Sequence, residues 1–357
     1  MSALRTKLCD ILGCRYPIIQ TAMGWVATAE LVAGTSNAGA FGFLAAATSR
    51  PEEVEESIAK IKRLTKQPFG VNFLMEQPGA ADIVEMIVRE GVKAASYSRS
   101  PNEKFIEQFK AAGILCVPTV GAARHAEKAV QLGADLIVAQ GGEGGGHTGS
   151  VPTSLLLPQV VDSIDVPVVA AGGFRDGRGL VAALAFGAVG IAMGTRFLLT
   201  EESPVPRQTL ERYHKATVDD IRVTTEVDGM PQRVIDNEFL RQLESGNALT
   251  RLIRALRSGL AYRKLSGASF GELLSAAASM RQNEKLTRTQ TLMAANAPIF
   301  IKRAMVEGHP AEGVLPSGQV AGLIDDLPTC KELVERIMAE AERTLAALGK
   351  EGIAIAS

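Results

Sequence analysis

Short runs of β-branched and small apolar residues recur along the first 200 positions. Between them lie stretches whose apolar residues return every three or four places. The runs cover 17–23, 42–46, 70–75, 93–98, 114–120, 135–140, 167–171 and 189–193, and the intervening periodic segments include 51–64, 80–90, 102–112, 122–132 and 179–186. Compact apolar runs alternating with 3.6-residue periodicity predict strand and helix in turn. Gly91, Gly113, Gly133 and Gly187 stand just past four of the helical segments, where a chain leaving a helix favours a left-handed residue. Eight strand–helix units in succession predict an α/β fold of the (β/α)8 TIM-barrel type. A doubly wound sheet accounts for eight regular units less well, and no GxGxxG follows the first run.

Past position 200 the strand signals weaken and 249–303 reads as helical. The expected division is a barrel over 1–200, a mainly helical insert over 201–308 that follows the eighth strand and covers the substrate, and a segment over 309–357 that packs back on the barrel and holds a terminal helix at 330–348. Charge sets the insert apart. Residues 249–303 carry ten Lys/Arg against Glu272 and Glu284, a net of +8, so the remainder holds −9 of the overall −1. Such a stretch is either a solvated helical surface or a face for a polyanion, and Arg251, Arg254 and Arg257 are its candidate substrate-binding residues.

Composition narrows the class. With 46% hydrophobic residues and 35 glycines in 357, the chain is expected to be globular. A net charge of −1 gives no ground for a nucleic-acid partner. The longest low-polarity stretch, 180–195, is broken by glycines and shorter than the ~20 residues needed to span a bilayer, so no membrane association is expected. The polar first residues lack a signal-peptide core, and a cytoplasmic location is expected. Cys9, Cys14, Cys116 and Cys330 show neither zinc nor disulfide spacing and read as reduced packing residues. No His/Cys/Asp/Glu cluster has metal-ligand spacing, and no metal is predicted.

Residues 140–149, Gln-Gly-Gly-Glu-Gly-Gly-Gly-His-Thr-Gly, are the most informative segment. Six glycines in ten positions suit neither a helix nor a strand, and the segment falls at the C-terminal end of the sixth run, the edge where barrels build active sites. His147 inside it has no apolar face to support and is the candidate base or hydrogen-bond donor, with Glu143 as a loop-stabilising carboxylate. His125, His214 and His309 read as surface residues. Glycine-rich turns follow the seventh and eighth runs. There, Gly172, Gly173 and Gly194 give a phosphate access to backbone N–H groups, and Thr195 adds a hydroxyl. After the first run, Ala22, Met23 and Gly24 leave room for a planar ring. Trp25 beside them is either packing or a substrate platform, and the carboxamide of Asn72 ends the third run. A phosphate together with a flat ring suggests a mononucleotide flavin. A pyridoxal or sugar phosphate is also compatible, though no lysine sits where a Schiff base would form.

Taken in order, 20–25, 70–72, 141–149, 171–179 and 193–197 make the chain resemble the 2-nitropropane dioxygenase/nitronate monooxygenase superfamily. The resemblance implies FMN at the barrel mouth and His147 as the catalytic histidine, with Gln140, Gly145, Gly146 and Gln319 joining the cofactor contacts. Segments 141–149, 223–234 and 317–328 further resemble the branch of that family acting in bacterial steroid C/D-ring degradation. That likeness implies dehydrogenation of a ring-containing acyl-CoA in steroid and cholesterol catabolism, with His147 taking a proton and flavin N5 a hydride. Other readings are nitronate oxidation by O2, NAD(P)H-dependent quinone or enoyl reduction, and a flavin-free phosphate-binding barrel. Whether the chain acts as a monomer or a homo-oligomer stays open.

Overall fold

The computed structural model describes residues 4–47, 49–98, 101–246, 248–266, 271, 291 and 293–350. Eight parallel strands close into a barrel: β1 (Ile18–Gln20), β2 (Phe41–Ala45), β3 (Gly70–Asn72), β4 (Ala94–Ser98), β5 (Leu115–Val120), β6 (Ile137–Gln140), β8 (Val168–Ala171) and β9 (Ile191–Met193). Closure sets Ile19 opposite Phe41 on one side and Ala192 on the other. Seven lie inside the expected apolar runs, and β2 starts one residue before its run, at Phe41. The helices α2 (Ala29–Asn37), α3 (Pro51–Leu64), α4 (Ala80–Arg89), α5 (Glu103–Ala111), α6 (Ala123–Gln131), α7 (Thr153–Ser163) and α8 (Gly177–Ala185) connect them. Gly91, Gly113, Gly133 and Gly187 all take positive φ just past helix ends.

The barrel interior is solid. Ile19, Phe41, Phe43, Ala94, Val117, Val138, Val169 and Ala192 pack into one cluster, and α1 (Lys7–Leu12) adds Leu8 and Leu12 to it. A Cβ at Gly70 would lie 2.2 Å from the Phe43 ring, so the glycine makes room for that side chain. All four cysteines are buried free thiols.

After β9 come α9 (Thr195–Leu198) and α10 (Arg207–His214), followed by β10 (Ile221–Thr224) and β11 (Gln232–Ile235). The strands form an antiparallel hairpin in a stretch whose strand signals looked weak in sequence. Next come α11 (Glu238–Glu244), α12 (Ala248–Ser266) and α13 (Asn296–Met305). The last helix, α14 (Cys330–Lys350), packs on α8 and α2. A Cβ at Gly177 would come within 2.3 Å of the Ala341 nitrogen, so α14 lies directly on the first residue of α8, and Glu340 accepts the Gly177 N–H at 2.8 Å. No helix among the described residues is long and apolar enough to cross a membrane.

Candidate functional site

Parallel strands bring all their C-terminal ends to one mouth, and most of the candidate residues sit there. Ala22, Met23, Gly24 and Trp25 follow β1, and all four are partly exposed. Asn72 closes β3 and donates through Nδ2 to Ser96 Oγ at 3.1 Å. Gly172 and Gly173 follow β8 with φ of 91° and 84°. Gly194 precedes the first turn of α9, whose leading N–H groups have no partner within the helix. A Cβ at Gly194 would sit 3.0 Å from Thr21 Oγ1 and 3.4 Å from Met23 Sδ, so the loops after β9 and β1 touch. Thr195 Oγ1 accepts the Gly318 N–H at 2.9 Å, which leaves its own hydrogen to donate.

The glycine-rich loop after β6 is held from three sides. Glu143 accepts from the Thr153 N–H at 3.0 and 3.1 Å and from Thr153 Oγ1 at 2.7 Å, a stabilising role at the start of α7. Gln319 N–H donates to Glu143 O at 3.0 Å. The Arg233 guanidinium donates twice to Gly142 O, at 2.9 and 2.7 Å. Gln140 Nε2 donates to His147 O at 3.0 Å. Its side chain also lies where a Cβ on Gly144 would be, 2.7 Å away. The loop glycines differ in purpose. A Cβ at Gly141 would meet Thr153 at 2.0 Å and one at Gly145 would meet Gly318 N at 2.5 Å, whereas at Gly146 it would meet nothing within 4 Å. Gly146 therefore faces open space at the mouth, while Gly145 is required by the backbone of residues 317–318.

His147 is held in a two-residue strand, β7 (Gly146–His147), which pairs antiparallel with β11, Gln232 opposite His147 and Arg233 opposite Gly146. Its imidazole is 44% exposed, and Nε2 lies 2.8 Å from Oδ2 of Asp228, a carboxylate only 7% exposed. Gln232 Nε2 donates to the same oxygen at 2.7 Å, and the Met230 N–H donates to Asp228 Oδ1 at 3.1 Å. Burial alone would push the Asp228 carboxyl up; the bonds from His147, Met230 and Gln232 outweigh it and hold the group below the usual carboxylate range. Asp228, Gln232 and Arg233 were missed as site residues in sequence. The available signal was Asp228-Gly229 between two short alternating runs, a hairpin pattern.

The basic insert is placed less fully. Arg257 is exposed on α12, which packs against α13. The side chains of Arg251 and Arg254, together with Glu272, Arg281, Glu284, Lys285 and Arg288, lie outside the described residues.

Comparison with known proteins gives a consistent picture. The family model described as nitronate monooxygenase matches residues 5–98 and 83–340. A protein of Rhodococcus jostii named (3aS,4S,5R,7aS)-5-hydroxy-7a-methyl-1-oxo-octahydro-1H-indene-4-carboxyl-CoA dehydrogenase is 48% identical over 98% of this chain and 99% of its own length. A protein of the same name from Mycobacterium tuberculosis is 49% identical over 95% of this chain and 96% of its own. Among solved structures, FabK from Thermotoga maritima superposes with a TM-score of 0.80 at 31% identity, covering 98% of this chain and 100% of that one.

Proposed function

The chain belongs to the nitronate monooxygenase family and is an oxidoreductase of a flavin-dependent kind, and from that premise we propose that it uses FMN to introduce a C=C bond into a ring-containing acyl-CoA of steroid catabolism. The observation that carries this reading is that two relatives, alike over nearly the whole chain, bear the name of one hydrindane carboxyl-CoA dehydrogenase. The mouth suits the cofactor. The paired left-handed glycines 172 and 173, Gly194 and the Thr195 hydroxyl would take the phosphate. Ala22, Met23, Gly24, Asn72, Gln140, Gly145, Gly146 and Gln319 would line the ring system. When bound, FMN supplies an acceptor for two electrons as a hydride at N5.

Dehydrogenation takes a proton from one carbon and a hydride from its neighbour. The thioester acidifies the carbon next to its carbonyl, so one positioned imidazole is an adequate base, and His147 fills that role. Trp25 would border the substrate. Arg251, Arg254 and Arg257 would meet the CoA phosphates from a cytoplasmic pool of thioesters. Nitronate oxidation, the activity in the family's name, needs only a small anion and leaves the +8 of residues 249–303 without a role.

The test is anaerobic mixing of the flavin-loaded protein with a panel of acyl-CoA thioesters, ring-containing ones included, and with an alkyl nitronate. Bleaching of the flavin by a thioester is expected. Reaction with nitronate alone would overturn the reading. His147→Ala should keep its flavin and lose at least roughly 10²-fold in turnover, and full activity in that variant would remove His147 from the mechanism.

A further inference from the structure

We infer that Asp228, delivered by the hairpin of the insert, is the positioning residue of His147: it takes the hydrogen of Nε2 and leaves Nδ1 as the atom that accepts the substrate proton. The inference rests on the reading of His147 as the base. Asp228 receives three hydrogen-bonding groups, His147 Nε2 at 2.8 Å, Gln232 Nε2 at 2.7 Å and the Met230 N–H at 3.1 Å. A carboxylate so surrounded stays ionised at neutral pH and has no hydrogen to give. The hydrogen between Asp228 and His147 therefore belongs to the imidazole.

Gln232 holds the acceptor in place. Its Nε2 donates to the same Asp228 oxygen at 2.7 Å and lies farther, 3.3 Å, from His147 Nε2, so the carboxylate is the nearer partner of both nitrogens. A neutral imidazole with hydrogen on Nε2 carries its lone pair on Nδ1. The main chain that carries the ring is held as well. Gln232 sits opposite His147 in the strand pair, and its neighbour Arg233 holds the Gly142 carbonyl. One hairpin thus sets both the tautomer of the ring and the loop that carries it.

The chain has four histidines, so selective 15N labelling gives a resolvable spectrum, with His147→Gln identifying the signal of interest. In the flavin-loaded wild type, Nε2 is expected in the N–H range and Nδ1 in the unprotonated, pyridine-type range. Asp228→Asn keeps the shape without the charge. It is expected to mix the tautomers and lower kcat by roughly 10²–10⁴-fold, with KM and flavin affinity within about twofold of wild type. A Gln232→Leu variant, which removes one of the three bonds to Asp228, should fall between. A hydrogen on Nδ1 in the wild type, or an Asn variant with unchanged tautomer and kcat, overturns the assignment. Should the Asn variant fail to fold, the wild-type spectrum decides alone. Failure of the dehydrogenase reading looks different: no acyl-CoA bleaches the unaltered protein, while the spectrum still reports the tautomer.

Discussion

At Gly145 an added Cβ would lie 2.5 Å from a backbone nitrogen of residues 317–318, whereas at Gly149 the nearest atom would be 3.8 Å away. The two glycines are four residues apart in one loop, so they offer a matched comparison. Gly145→Ala must displace backbone and is expected to cost roughly 1–3 kcal/mol in urea unfolding, while Gly149→Ala should stay within about 0.5 kcal/mol of wild type. Equal effects would mean that the loop does not pack against 317–318. Trp25 presents the opposite case, a bulky side chain at φ 61°, where among the described residues every other positive φ belongs to glycine. Trp25→Gly should therefore be more stable than Trp25→Ala by about 1 kcal/mol, since both lose the indole and only Ala retains the backbone strain. Thermal melts of the pair check this. At this scale the glycine-rich loop and His147 were legible because local composition marks them. Asp228 was not, because its partner lies 81 positions away and nothing in a single chain pairs the two.

The strands of the barrel were readable because most of their residues are buried, on both faces, so that each writes itself as a short, mainly apolar or small-residue run. The hairpin was harder: Ile221–Thr224 and Gln232–Ile235 are four residues each and put Arg222, Val223 and Arg233 at least partly in solvent. Ile221, Val234 and Ile235 anchor it in the core, and ion pairs tie down its polar residues. Arg222 bonds Asp236 at 2.9 Å and Glu244 at 2.7 Å, and Arg241 holds the other oxygen of Asp236 at 2.9 Å. The bond from Arg222 keeps the Glu244 carboxyl below its ordinary range. Burial would raise Asp236, but Arg241 and Arg222 bring it down as well. A carboxyl depressed in the folded state stabilises above its unfolded pKa, about 3.9–4.3, and that contribution disappears as pH falls through the folded value. Glu244→Gln should accordingly be less stable than wild type at pH 7, with the two stability curves converging below about pH 4. Parallel curves across that window would remove the ion pairs from the account.

Across the whole molecule, charge is divided: +8 over 249–303 and −9 elsewhere. If the insert meets the CoA phosphates, Arg251, Arg254 and Arg257 changed together to Ala should raise KM for an acyl-CoA by roughly 3–10-fold at low ionic strength, and the difference should shrink in high salt. Unchanged KM would leave the basic stretch as a solvated surface. The division of labour between barrel and insert also has a consequence for how the protein is made. All eight barrel strands have been synthesised by Met193, but the partner of His147 is Asp228. At 5–20 residues per second, the ribosome needs roughly 4–16 s to travel from one to the other, and α14, which lies over the first turn of α8, comes later still. The nascent chain thus carries its histidine for seconds before the carboxylate that bonds the ring exists, and that partner arrives with more than a third of the 357 residues still to be made.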